Sequence, residues 1–361
     1  MRRSGDAFVH SPSNPLPTLP RRRMMGILMK NRAVNAALSA VLVATLASGQ
    51  GGWTPEPSMN LVRLGGASVG HGRWVYALGG NDLTTDHASF EMFDTLTGLW
   101  TLKPFPAGLT GRSFGRAVSL GGYVYFLGGH DAIVGHAVYA EVWRYDPSAD
   151  TWSQRQSMLA PLINFGAAVL DGKIVVVGGR QPLWSHRNET YVFDPTLDYF
   201  GAPIPAWTQG PSFPGYALDL APLGDCIAIA VKGGIVVQGA GADSPVTGAS
   251  HAETWRLDLS CHADATWTQL NDAPHAIRAF ENVYGHVFGL GGYERVSGTC
   301  TLFLDLVAFE PCQMAVRRVL PMPIHPAGSG VVDGRIYIFG GETTSQCSTG
   351  PFTTDCFSWQ L

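Results

Sequence analysis

The sequence lacks an apolar run long enough to cross a bilayer. Its stretch from Ala33 to Ala47 is broken by Asn35, Ser39 and Thr45, and falls short of the roughly 18 to 20 apolar residues that a span requires. It has no His-Glu-x-x-His and no phosphate-binding glycine loop, which argues against zincin-type hydrolysis and P-loop nucleotide chemistry. Charge is scarce as well: Asp, Glu, Lys and Arg make up 14% of the 361 residues, against 45% hydrophobic, a balance suited to sheets covered on both faces. What basic charge there is gathers at one end. Residues 1–49 hold seven of the 24 Lys and Arg but a single acid, Asp6, so residues 50–361 carry 17 bases and 27 acids, a net of −10 against −4 for the whole chain. That acidic remainder has no electrostatic footprint for nucleic acid or anionic lipid.

The basic end has its own logic. Arg21, Arg22, Arg23, Lys30 and Arg32 precede the short apolar stretch, which leads to the small-residue site Ala47-Ser48-Gly49. Basic, apolar and small-residue regions in that order describe a secretory signal, so residues 1–49 are expected to be a signal peptide and leader, with Gln50 the new N-terminus. The lead before Met24, Met25 and Met29 is long for a signal, and translation from one of those methionines would shorten it. The expected location is secreted or periplasmic, where the six cysteines meet an oxidising environment and allow 15 full pairings.

From Trp53 onward, turn chemistry recurs. Glycine doublets stand at Gly79-Gly80, Gly128-Gly129, Gly178-Gly179, Gly291-Gly292 and Gly340-Gly341, with Gly239-Ala240 as a degenerate copy, 49 to 61 residues apart. Paired glycines let a strand end at positive φ. An apolar residue plus an acid follows each but the last: Phe93-Asp94, Tyr145-Asp146, Phe193-Asp194, Leu257-Asp258 and Phe309-Glu310. The acid can bond its own downstream backbone and so marks a turn. Tryptophans follow at Trp100, Trp152, Trp207 and Trp267.

Doublet, apolar-acid pair and tryptophan in register resemble the kelch family, whose repeats run to about 50 residues. The resemblance spans Trp53 to Leu361 and implies an all-β, six-bladed kelch β-propeller of four-stranded antiparallel blades over residues 50–361. Trp53-Thr54 reads as a fourth strand with no earlier strands before it, while 356–361 reads as a third strand with no fourth after it. The N-terminal strand is therefore expected to complete the C-terminal blade and close the ring. With this topology Cys300 and Cys312 fall at opposite ends of one strand, and the expected disulfides are Cys347 to Cys356, Cys226 to Cys300 and Cys261 to Cys312.

Interblade linkers and the loops joining second to third strands share one face. The linkers and first-strand openings hold Arg63, Arg112, Arg116, His275, Arg278 and His325. First strands line the central channel, so these residues are candidate ligands for carboxylates or sugar acids. Pairing of each arginine with an acid or carbonyl of a neighbouring blade is the competing reading. Glu281 interrupts an apolar first strand and joins the list as a channel-facing or arginine-paired acid. Gly66-Ala67-Ser68-Val69-Gly70 matches a nucleophile motif formally, yet lies in a first strand with no helix after it. His130, Asp131 and His136 share a loop but not an imposed ligand geometry. No metal, cofactor or catalytic residue is assigned.

Two functions compete. One is a binding or scaffold module, monomeric, that presents its loop face to a protein or an acidic glycan. The other is a sugar-acid epimerase or mutarotase similar to the exported N-acetylneuraminate epimerases. Those enzymes share a Gly-Glu segment followed by Arg, where this chain reads Gln238-Gly239-Ala240-Gly241-Ala242-Asp243.

Overall fold

The computed structural model describes residues 52–181, 187–199, 204–214, 225–240, 252–258, 265–296, 299–310, 312–343 and 351–360. They form 24 strands in six four-stranded antiparallel sheets. After β1 (Thr54–Glu56), blade 1 comprises β2 (Ala67–His71), β3 (Trp74–Leu78), β4 (Ser89–Asp94) and β5 (Leu99–Pro104). Blade 2 holds β6 (Arg116–Leu120), β7 (Tyr123–Leu127), β8 (Val142–Asp146) and β9 (Thr151–Arg155). Blade 3 holds β10 (Gly166–Leu170), β11 (Lys173–Val177), β12 (Thr190–Phe193) and β13 (Trp207–Gln209). Blade 4 holds β14 (Asp225–Val231), β15 (Gly234–Ala240), β16 (Thr254–Asp258) and β17 (Thr266–Gln269). Blade 5 holds β18 (Ala276–Val283), β19 (His286–Val296), β20 (Thr299–Phe309) and β21 (Val316–Pro321). Blade 6 holds β22 (Gly328–Val332), β23 (Arg335–Glu342) and β24 (Phe352–Gln360), and its outer position is taken by β1.

The ring closes as the sequence implies. Thr54, Pro55 and Glu56 pair with Ser358, Phe357 and Cys356, and the first strands touch in the circle β2, β6, β10, β14, β18, β22 and back to β2. Small residues make that circle tight: a Cβ on Gly70 of β2 would collide with the Val331 carbonyl of β22. There is no single core. Each seam between neighbouring blades has its own apolar cluster, such as Tyr76, Leu78 and Phe90 of blade 1 against Val124, Phe126 and Tyr145 of blade 2. Both faces of every blade are thus buried, which explains the apolar second strands Trp74–Leu78, Tyr123–Leu127 and Lys173–Val177.

The repeated residues now have physical roles. Both glycines of each full doublet sit at positive φ, from 54° at Gly291 to 156° at Gly292. The Gly80 amide donates to the Arg112 carbonyl of the next linker (2.9 Å), and the Gly129 amide to the Leu162 carbonyl (2.9 Å). A side chain at Gly79 would strike the Arg112 carbonyl. In blades 1 to 3 the second strand stops before the doublet, whereas β19 and β23 run through it with a register shift. The apolar members Phe93, Tyr145, Phe193, Leu257 and Phe309 are buried, while their acids close turns: Asp146 Oδ1 accepts from the Ser148 and Ala149 amides at 2.9 and 3.2 Å.

Each tryptophan seams two blades. Trp100 Nε1 donates to the Pro57 carbonyl at 2.8 Å, Trp207 to Gln156 at 2.8 Å, Trp267 to Pro211 at 3.1 Å and Trp53 to Pro321 at 3.1 Å. Every acceptor lies just after, or at the end of, the fourth strand of the preceding blade. Trp152 is the exception; it packs edge-on to Phe90 and Phe105 with its indole N–H unpaired.

The cysteine placements follow the topology. Cys300 and Cys312 flank the length of β20 as expected. Cys312 and Cys356 carry free thiols here, and Cys356 is buried in the seam between blades 6 and 1. Cys261, Cys347 and the side chain of Cys300 lie outside the described residues, as does the expected leader, residues 1–49.

Trp53 is 4% exposed, packed on Trp359 and bonded across a seam. Trp53→Ala is expected to cost about 3–5 kcal/mol, the range for removing a buried tryptophan. Urea unfolding checks it, and an unchanged midpoint would mean that β1 adds nothing to closure.

Candidate functional site

The described first strands enclose a cavity of about 240 Å³ along the propeller axis. Its walls are mostly small or apolar: Gly66 to Gly70 on β2, Ala167 on β10, Ile227 to Ile229 on β14, and Pro326 to Ser329 on β22. Three of the seven expected residues reach it: Arg116, Arg278 and Glu281.

The three differ in what they already hold. Arg116 begins β6, and its guanidinium donates to the Gly115 carbonyl (3.1 Å) and, across to blade 4, to the Cys226 carbonyl (3.0 Å). Arg278 is partly buried, and among the described residues no hydrogen bond or ion pair engages it. Glu281 accepts one hydrogen bond, from Ser329 Oγ at 2.7 Å. Ser329 in turn takes the Ser68 hydroxyl as acceptor for its backbone amide (2.9 Å), linking β18, β22 and β2 through polar atoms. Burial pushes the Glu281 carboxyl up to about 7, and the Ser329 hydrogen bond offsets only part of that.

Arg63, Arg112, His275 and His325 are not among the residues that line this cavity. Arg63 and Arg112 are each 1% exposed. Arg63 Nε pairs with Glu91 of β4 at 3.0 Å, and its Nη atoms donate to the Gly79 and Ser89 carbonyls and to Ser89 Oγ (2.6, 3.0 and 2.9 Å). Glu91 also accepts from the Asn60 and Leu61 amides at 2.7 and 3.2 Å. Arg112 repeats the arrangement one blade on. It pairs with Glu141 at 2.8 Å, donates to Thr110 and lies over the Tyr139 ring. In blade 5 the same place is taken by His275, whose Nε2 is 3.1 Å from both Asp305 oxygens while the ring stacks on Phe303. A cationic or polar group in the linker thus clamps its own blade's third strand, near the start in blades 1 and 2 and midway along β20 in blade 5. Arg63 and Arg112 are paired with acids of their own blades and not of a neighbouring one.

His325 adds no charge either. Burial and the nearby Arg278 hold it down to about 3, so it is neutral at physiological pH, with Nε2 unpaired. The basic character of the channel therefore reduces to Arg116 and Arg278. Two lining residues escaped the sequence reading in this role, Ser68 and Ser329. Each is the second residue of its blade's first strand, but a small polar residue there reads equally well as filler in a crowded ring. The nucleophile-like motif around Ser68 is built as plain strand, followed by β3 and not by a helix. His130 is buried between Phe114 and its own loop, and the described residues contain no cluster of three His, Cys, Asp or Glu placed to hold a metal. Nor is any described helix long and apolar enough to cross a membrane. Of the segment compared with the epimerases, Gly241 to Asp243 lie outside the described residues.

Six blades about a narrow, sparsely charged channel define a six-bladed β-propeller. The kelch-motif profile matches residues 111–159 and 161–214, which are the second and third blades with their linkers. Kelch-like protein terF of Aspergillus terreus is 26% identical over 220 residues, 58% of this chain and 45% of that protein. F-box/kelch-repeat protein SKIP30 of Arabidopsis thaliana is 37% identical over 71 residues, 20% of this chain and 18% of that protein. Kelch-like protein 35 of Homo sapiens is 30% identical over 57 residues, 16% and 10% of the two chains. The chain thus spans less than half the length of these curated relatives. The solved structure of YjhT superposes with a TM-score of 0.64 at 15% identity, covering 85% of this chain and 97% of that one, a likeness of fold alone. Kelch motifs thus account for residues 111–214, and the fold of the chain is that of a six-bladed β-propeller.

The two kinds of arginine should respond differently to truncation. Arg63→Ala leaves Glu91 buried without its cation and is expected to cost about 3–5 kcal/mol of stability, whereas Arg278→Ala should change stability little; urea unfolding of both variants checks the contrast. Glu281 titrates higher in the folded chain (about 7) than at its ordinary value of 4.5. The native state therefore holds that proton more tightly. Its contribution to stability is present below pH 4.5 and is lost as pH rises to about 7, then levels off. Glu281→Gln should remove that fall, measured as the difference in melting temperature between variant and wild type from pH 5 to pH 8.

Proposed function

We propose that this propeller is a binding module that takes an anionic group, the carboxylate of a sugar acid or acidic glycan, into its channel from the loop face. The observation that carries this reading is Arg278: a guanidinium of β18 in a cavity, engaged by no hydrogen bond or ion pair among the described residues, on a chain whose linker arginines Arg63 and Arg112 are clamped to carboxylates. A planar guanidinium binds a carboxylate through two parallel N–H donors. Arg116 adds a second positive charge from across the ring. The module is proposed to act outside the cytoplasm as a monomer after removal of residues 1–49, with its remaining cysteines available for pairing.

A second reading has one observation in its favour. Glu281 titrates near neutrality beside that anion site, as a general acid or base would, which supports a sugar-acid epimerase or mutarotase similar to the N-acetylneuraminate epimerases.

A sugar-acid and acidic-glycan array identifies the ligand, and an NMR anomer assay separates the readings. Arg278→Ala is expected to weaken binding by about 1.5–3 kcal/mol, the worth of a hydrogen bond to a charged group, with the fold intact. Unchanged affinity in that variant would remove the channel from binding. Acceleration of sialic-acid anomer exchange by the wild type, abolished by Glu281→Gln, would establish the enzyme instead.

A further inference from the structure

Glu281 occupies an odd place for an anion-binding channel. It lines the same cavity as both arginines, yet among the described residues it makes no ion pair and its carboxylate has one hydrogen-bond donor, the Ser329 hydroxyl. A carboxylate satisfied by a cation would lie within salt-bridge reach of it, as Glu91 and Glu141 do. Ionised, Glu281 would repel a carboxylate entering the same cavity. Protonated, it changes role: it keeps an acceptor oxygen for Ser329 and turns its O–H into a donor toward the cavity.

Resting on the reading of the channel as an anion site, we propose that it binds a polyhydroxy monocarboxylate together with one proton, which Glu281 takes up. Arg278 and Arg116 meet the ligand's carboxylate, and the Glu281 O–H and the Ser68 and Ser329 hydroxyls offer partners for its hydroxyl groups. A cavity of about 240 Å³ admits one ligand of monosaccharide size.

Among the described residues, no other ionisable side chain pairs with Glu281. Facing positions on β10 and β14 are Ala167 and Ile227 to Ile229, and β15 holds no ionisable residue. On β19 its register partner is Phe288, with His286, Glu294 and Arg295 toward the strand ends. On β23, Arg335 is bonded to Ser358 and Gln360, and Glu342 pairs through its backbone with His325, which stays neutral. The carboxyl already holds its proton up to about pH 7 in the unliganded channel. Acidic solution should therefore need no uptake, whereas alkaline solution should need nearly one proton per ligand.

The test is titration calorimetry of D-glucuronate and N-acetylneuraminate, with N-acetylglucosamine as the neutral control, in buffers of different ionisation enthalpy at pH 5.5 and pH 8. Uptake near one proton at pH 8 and near zero at pH 5.5 is expected, with affinity about tenfold weaker at pH 8 than at pH 5.5. Glu281→Gln should bind with no uptake and the same affinity at both pH values. Binding by the wild type without proton uptake at pH 8, or uptake that persists in Glu281→Gln, overturns the coupling and leaves the anion site standing. Absence of binding by either acid at pH 5.5 overturns both.

Discussion

Closure of the ring is the constraint on which everything else in this protein depends. A four-stranded blade buries neither face by itself, and each blade here is sealed only by its neighbours, so the last seam must be made or two blade faces are left to solvent. The β1 to β24 pairing makes it with three residue pairs, reinforced by Trp53 reaching back to the Pro321 carbonyl of blade 5. The six apolar clusters distribute the core around the ring, one per seam.

Crowding at the centre follows from the same geometry. Six first strands meeting around one axis leave room for glycine, alanine and serine, and for few larger side chains. Arg116, Arg278 and Glu281 stand out because each brings charge into a space lined otherwise by small or apolar groups. The linker arginines solve a different problem. Arg63 and Arg112 hold the glycine doublet or the linker to the third-strand carboxylate, so their charge is spent on tying each blade to the chain that enters it. Arg112 in the linker and Arg116 at the start of β6, four positions on, thus serve stability in one case and face the cavity in the other.

The seams also explain why the repeat is written as it is. Glycine doublets admit the neighbouring linker's carbonyl, the apolar-acid pair fills a seam and closes a turn, and the tryptophan bonds the preceding blade. Where a repeat departs from the pattern, the structure substitutes: His275 and Asp305 replace an arginine and a glutamate in blade 5, and β15 continues through Gly239-Ala240 without a full doublet.

The amino-acid order alone determined the blade count, the second-strand limits that the doublets set in blades 1 to 3, and the strand that completes blade 6. These rest on turn chemistry and alternation within about ten residues, which a sequence displays directly. It also brought Arg116, Arg278 and Glu281 under notice, because charge interrupting a first strand is visible locally. What the sequence left open was which arginines stay available. Arg63 lies 28 residues from Glu91, Arg112 29 from Glu141, and Arg116 110 from Cys226; Glu281 and Ser329 are 48 apart and belong to different blades. Such partners meet only once blades are folded and packed into a ring. Only the tertiary structure therefore decided that three of the seven candidates line the channel and four do not, since pairing depends on partners that the folded blade supplies and the channel itself on ring closure.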